Sequence, residues 1–186
     1  MKSDAIYIAL GANLPSASRT PAQTLAAALD ALEAAGVRIV ARSSDWSSPA
    51  WPDPSEPAYV NAVARVDSDL PPADLLALMH RVEADFGRQR SVPNAARPLD
   101  LDLIDWRGQV DQVAGGLQLP HPRACGRAFV LLPLAEIAPH WCDPVSGRSI
   151  GDWVSALPQA DRDATCKLQP VAGDTPGRLA FEGREG

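Results

Sequence analysis

Residues 99–106 read Leu99-Asp100-Leu101-Asp102-Leu103-Ile104-Asp105-Trp106, and their alternation decides how the rest of the chain is read. Side chains on a β-strand point to opposite faces in turn, so Leu99, Leu101 and Leu103 share one face while Asp100 and Asp102 share the other. Before this strand, residues 88–98 carry Pro93 and Pro98 and read as a loop. Ahead of that loop, Leu75, Leu76, Met79, Val82 and Phe86 recur at helical spacing, Pro71-Pro72 open the segment and Gly87 closes it, which predicts a helix from about Ala73 to Phe86. Two β-branched or alternating stretches, Val37 to Trp46 and Tyr59 to Val66, flank a segment with Pro49, Pro52, Pro54 and Pro57 and predict two strands joined by a loop. From Thr20 to Ala35, Leu25, Ala28, Leu29 and Leu32 mark another helix, with Thr20-Pro21 at its start and Gly36 after its end. The apolar run from Ala5 to Leu10 predicts a strand buried on both faces, followed by a turn at Gly11-Ala12-Asn13. Beyond the aspartates, Phe129 to Ile137 and Ile150 to Leu157 predict helices, and Lys167 to Val171 a last strand in a tail that otherwise frays.

The succession strand, helix, strand, strand, helix, strand predicts an α+β fold: a ferredoxin-like β-α-β-β-α-β core with a mainly antiparallel sheet and additional C-terminal helices. A chain of 186 residues suits one domain, expected over residues 1–157, with a partly flexible C-terminal extension over 158–186. Hydrophobic residues make up 46% and charged residues 22%, which argues against extended disorder. A net charge of -6 provides no general attraction for nucleic acid or anionic membrane. The run ending at Leu10 is far too short to span a bilayer. Three widely spaced cysteines, Cys125, Cys142 and Cys166, fit neither a disulfide framework nor a zinc site and point to a reducing cytoplasm. The predicted scaffold hosts many activities, so function has to come from particular side chains.

Paired carboxylates at Asp100 and Asp102 offer hard oxygen ligands suited to magnesium bridged to phosphate, although for a bare Asp-x-Asp a solvated strand face is the favoured reading and context must decide. Their surroundings are basic: Arg88, Arg90 and Arg97 precede them, and Arg123 and Arg127 follow. Planar guanidinium groups match phosphate oxygens, and the competing reading is that they pair with the aspartates. His121 lies in the rigid segment Leu119-Pro120-His121-Pro122-Arg123 and could donate to a phosphate. Asn61, amid Tyr59-Val60-Asn61-Ala62, carries both a donor and an acceptor. It suits either the edge of a planar heterocycle, with Tyr59 and Phe129 able to stack on the ring, or the capping of a neighbouring backbone group.

Taken together, these residues resemble the 6-hydroxymethyl-7,8-dihydropterin pyrophosphokinase family over about residues 5–157. The matching parts are Ile8-Ala9-Leu10-Gly11-Ala12-Asn13-Leu14, Tyr59-Val60-Asn61-Ala62, Glu83 with Gly87-Arg88-Gln89-Arg90, Arg97-Pro98-Leu99-Asp100-Leu101-Asp102-Leu103-Ile104, Pro120-His121-Pro122-Arg123 and Arg127-Ala128-Phe129-Val130-Leu131. The resemblance implies transfer of pyrophosphate from ATP to a pterin alcohol, with two Mg2+ ions held by Asp100 and Asp102. It places Arg88 and Arg97 with the aspartates in the catalytic set. It places Glu83, Arg90, Leu103, His121 and Arg127 around ATP, with Leu103 near adenine. It assigns the pterin pocket to Ser48, the backbone from Pro49 to Trp51, Tyr59, Asn61 and Phe129. The implied partners are ATP and 6-hydroxymethyl-7,8-dihydropterin for a cytoplasmic monomer that engages no nucleic acid and no membrane. The chain departs from the family in three places: the loop Ser91-Val92-Pro93-Asn94-Ala95-Ala96 lacks a tryptophan common there, Ala12 replaces a common serine, and Pro122 stands where some members have tyrosine. A non-catalytic ligand-binding domain on the same scaffold is the competing class. An Asp-x-Asp glycosyltransferase is disfavoured, because 186 residues leave little room for two substrate domains.

Overall fold

The computed structural model describes residues 4–15, 19–50, 53–87, 98–112 and 117–169. Its first elements are β1 (Ile6–Ala12), α1 (Pro21–Ala34), β2 (Arg38–Arg42), β3 (Trp46–Ser48), β4 (Tyr59–Asp67), α2 (Pro72–Asp85) and β5 (Asp100–Trp106). A short pair, β6 (Asp111–Gln112) and β7 (Gln118–Leu119), precedes α3 (Ala128–Ile137), α4 (Ile150–Ala156), α5 (Gln159–Ala164) and β8 (Cys166–Lys167). The main sheet runs β5-β1-β4-β3-β8, β2 also pairs with β4, and every pairing is antiparallel. The mainly antiparallel α+β architecture expected from the sequence is the one observed, with three strands between α1 and α2 where two were expected.

The elements differ from those expectations in several places, among them a last strand at Cys166–Lys167 where Lys167 to Val171 was expected, Pro170 and Val171 lying outside the described residues. β1 continues through Gly11 to Ala12 instead of turning there, because Gly11 pairs with Asn61 on one side and Asp100 on the other. The single strand expected from Val37 to Trp46 is divided into β2 and β3 at Ser43, whose backbone N–H donates to the Val63 carbonyl while its hydroxyl accepts from the Val63 N–H. α5 was not expected; it is a six-residue helix with no buried residue, so it carries no apolar stripe to read.

Each face of the sheet buries its own core. Ile6, Ile8 and Leu10 of β1, Ala62, Ala64 and Val66 of β4, and Leu101 and Leu103 of β5 pack against Leu25, Leu29 and Leu32 of α1 and Leu75, Met79 and Val82 of α2. On the opposite face Tyr7, Ala9, Val63 and Ile104 pack against Val130, Leu131 and Leu134 of α3 and Ile150 of α4. This explains the unbroken apolar run of β1, all seven residues of which are buried. Burying each large aliphatic side chain contributes roughly 1.5–3 kcal/mol, so the two layers supply most of the driving force.

α1 begins as the sequence implies. The Thr20 hydroxyl accepts from the Gln23 N–H at 3.3 Å and the Gln23 side chain accepts from the Thr20 N–H at 3.0 Å, a reciprocal cap before Pro21. Thr20→Ala is expected to cost about 1 kcal/mol, read as a lower urea midpoint at unchanged slope.

Strict alternation fails at one point of β5, and the failure matters. Leu103 pairs with Ile8 and Asp105 pairs with Tyr7, which leaves Ile104 as an extra, bulged residue. Both Ile104 and Asp105 therefore face the α3 layer, and Trp106 returns to the α1–α2 layer. Without the bulge, alternation would drive the Asp105 carboxylate into the aliphatic core.

Candidate active site

Among the described residues, the packed α3 core does not take in the residues at one end of its sheet face. Across that end runs a row of paired residues, Asp100, Gly11, Asn61 and Trp46, on β5, β1, β4 and β3. Asp102 sits two pairs further along, opposite Ala9, so the two aspartates share a face as their spacing implies. Gly11 forms the floor between Asp100 and Asn61. A Cβ placed there would lie 3.4 Å from Asn61 Oδ1 and 3.8 Å from Tyr59 Cδ1.

Cationic and donor groups meet Asp102 from the segment entering α3. Arg127 Nη1 lies 3.6 Å from Asp102 Oδ2, and His121 Nε2 lies 3.9 Å from Asp102 Oδ1. Arg127 precedes the first turn of α3 and its guanidinium stacks 5.4 Å from the Phe129 ring centre. His121 is anchored by its backbone N–H, which donates to the Ile104 carbonyl at 2.8 Å. The Arg123 N–H donates to His121 Nδ1 at 3.2 Å, which assigns the ring proton to Nε2 and aims an N–H at the aspartates. Burial holds the imidazole below its ordinary pKa; Asp102 opposes that shift, and Arg127 and Arg123 reinforce it. A neutral donor therefore faces the site at pH 7.

At the other end of the row, Asn61 is 4% exposed. Its Nδ2 donates to Ser48 Oγ at 2.9 Å and to the Trp46 carbonyl at 3.3 Å. A carbonyl only accepts, so the amide orientation is set and Oδ1 points over Gly11. The capping reading of Asn61 holds for Nδ2, while Oδ1 lies over Gly11. Ser48 is buried, Tyr59 is half-buried beside Gly11, Pro49 is exposed, and Phe129 packs at the margin of the α3 core.

Beyond β5, at the sheet edge, Leu76, Leu103, Leu117, Gln118, His121 and Pro122 line a cleft that opens onto Asp102. Glu83, expected near ATP, is 1% exposed, and its Oε1 accepts the Leu101 N–H at 2.8 Å, fastening α2 to the strand that carries both aspartates. Trp51, Arg88, Arg90 and Arg97 lie outside the described residues. Cys125 is half-buried and its thiol is pushed up to about 11, chiefly by burial, which keeps it protonated at pH 7.

Residues 7–139 match the model of the 7,8-dihydro-6-hydroxymethylpterin-pyrophosphokinase family. The chain belongs to that family. A 2-amino-4-hydroxy-6-hydroxymethyldihydropteridine pyrophosphokinase of Methylorubrum extorquens is 39% identical over 88% of this chain and 93% of its own length. A similarly named protein of Pseudomonas aeruginosa is 37% identical over 82% of this chain and 91% of its own length. In three dimensions the chain is similar to a solved structure titled "Crystal Structure Analysis of the HPPK-DHPS in complex with substrates". The TM-score is 0.68 at 10% identity, covering 90% of this chain and 47% of that one.

Within this pyrophosphokinase chain, Asp105 was absent from the sequence-level site. Its carboxylate is fully buried and accepts the Trp141 indole N–H and the Gly108 N–H, each at 2.8 Å, so it fixes both the turn after β5 and the start of the α3–α4 connection. Burial raises its pKa, the two donors oppose that shift, and Asp143 adds to it. Asp105→Asn leaves one of the two donors facing an amide NH2 and is expected to destabilise by about 1–3 kcal/mol in urea titrations. Because the folded-state pKa lies above the ordinary 3.8, the wild-type advantage is full below that value and narrows as pH rises through the raised one.

Proposed function

We propose that this chain transfers the pyrophosphoryl group of ATP to the hydroxymethyl oxygen of 6-hydroxymethyl-7,8-dihydropterin and releases AMP, a step of folate biosynthesis. The observation that carries this reading is the row Asp100–Gly11–Asn61: carboxylates flanked by phosphate-directed donors at one end, an amide acceptor beside an aromatic ring at the other, and a glycine floor between them.

Asp100 and Asp102 fit magnesium. They are oxygen donors on one strand face, and among the described residues no group of three or more His, Cys, Asp or Glu could hold a metal ion, so substrate phosphates and water would complete the coordination. Two Mg2+ ions held there would neutralise charge on the ATP phosphates. Arg127 and the His121 Nε2–H would contact phosphate oxygens, as would Arg88 and Arg97, with Arg90 completing the ATP side, while buried Glu83 would act only by fastening α2 to β5. The edge cleft beside Leu103 would take the adenine. Asn61 Oδ1 would accept from the pterin edge, with Ser48, Tyr59, Phe129 and the backbone from Pro49 to Trp51 completing that pocket. The hydroxymethyl oxygen then bonds to the β-phosphorus as the bond to the α–β bridging oxygen breaks, the hydroxyl proton is released and AMP leaves. Positioning and preorganised charge carry the rate.

Incubation with magnesium, ATP and the pterin alcohol should yield AMP in step with pterin diphosphate. AMP no higher than in a control without pterin would refute the reading.

A further inference from the structure

Glu136 is an acidic residue in the last turn of α3, where a carboxylate opposes the helix dipole and the turn itself carries no basic residue. Its oxygens nevertheless collect four donors from three separate places. Oε1 accepts from Ser44 N at 3.1 Å, Ser44 Oγ at 2.8 Å and Lys167 Nζ at 3.1 Å, while Oε2 accepts the Trp46 indole N–H at 3.1 Å. Burial alone would raise the carboxyl pKa, but the hydrogen bonds from Ser44, Lys167 and Trp46 outweigh it and hold the group below its ordinary value.

β3 is only three residues long, so its ladder supplies few hydrogen bonds. It nevertheless carries both acceptors that orient the Asn61 amide, the Trp46 carbonyl and Ser48 Oγ. On its other edge β8 pairs Lys167 with Trp46 and Cys166 with Ser47, and the Leu168 N–H donates to the Asp45 carbonyl at 2.8 Å. Glu136 ties α3, β8 and the Trp46 ring into one unit around this short strand.

We propose that Glu136, with Lys167 of the C-terminal segment, is a positioning brace for pterin recognition: it fixes β3, and β3 aims Asn61 Oδ1 at the substrate. This rests on the assignment of Asn61 to the pterin pocket. β8 is on this view part of the specificity apparatus and not a passive tail.

The test is a double-mutant cycle in the full-length chain between Glu136→Gln and Asn61→Ala, read as pterin KM and ATP KM. Trp46→Phe, which keeps an aromatic ring but loses the indole donor with the five-membered ring, serves as a second break in the same link. Glu136→Gln and Trp46→Phe should each raise pterin KM by about three- to tenfold, the worth of one net hydrogen bond, and leave ATP KM unchanged. In the Asn61→Ala background neither should raise it further, because the residue they act through is gone. Additive effects, or ATP and pterin KM rising together, overturn the brace. An elevated pterin KM for Asn61→Ala with none for Glu136→Gln or Trp46→Phe also overturns it, while leaving the pocket assignment standing. No change for Asn61→Ala itself overturns that assignment and the brace with it.

Discussion

Asp102→Ala is expected to lower kcat by about a thousandfold or more, with folding essentially intact. The carboxylate is the one that Arg127 and His121 both approach, at 3.6 and 3.9 Å, so it stands where metal, phosphate and cationic donors would converge. On the proposed function its removal would take away a metal ligand, and it leaves two donors without the charge that balances them. Electrostatic stabilisation of this kind is commonly worth 10²–10³ for a single donor, and about as much again where a metal is lost. Asp102 is only half-buried, so the stability change should stay within about 0.5 kcal/mol. Steady-state AMP production over a magnesium titration, paired with urea unfolding, separates the two effects. Wild-type turnover in the variant would remove Asp102 from the metal site.

Gly11→Val is expected to cost about a hundredfold in kcat/KM for the pterin, again without unfolding the protein. Position 11 lies within β1, and a β-branched residue suits a strand. The first added carbon meets Asn61 Oδ1 at 3.4 Å and Tyr59 Cδ1 at 3.8 Å, ordinary contacts. The two methyl groups beyond it have nowhere to go but over the floor between Asp100 and Asn61, where the two substrates would meet. A displacement of reacting groups by about 1 Å suffices for a loss of this size. Gly11→Ala, which adds only the tolerated carbon, should lose far less. Equal activity of the valine and alanine variants would show that substrates do not pass over Gly11.

The effects of these two substitutions differ in how visible they are from sequence. Asp100 and Asp102 were legible as a pair because strand periodicity is local: two side chains at i and i+2 share a face whatever the rest of the fold does. The same locality made α1, α2, α3 and β4 readable to within a residue or two, since each carries its own cap, stripe or alternation. Glu83 was named, but its bond to the Leu101 N–H was not foreseeable, because an acidic residue on an otherwise apolar helix face says nothing of which backbone it will meet. Glu136 left a faint trace as an acid in a final helical turn. Nothing local joined it to Ser44, Trp46 and Lys167.

By itself, then, the sequence determined the elements, the antiparallel α+β plan, the common face of the aspartates and the family to which the chain belongs, all of which rest on short-range periodicity and specific motifs. Tertiary structure alone decided the rest. Strand register carried β1 through Gly11 and set that glycine between Asp100 and Asn61. A one-residue bulge turned Asp105 away from the aliphatic core and onto Trp141. The packing of α3 across the sheet delivered Arg127 to Asp102 at one end and Glu136 to Trp46 at the other. Register and packing are fixed by partners tens of residues away, and no local pattern encodes which partner will arrive.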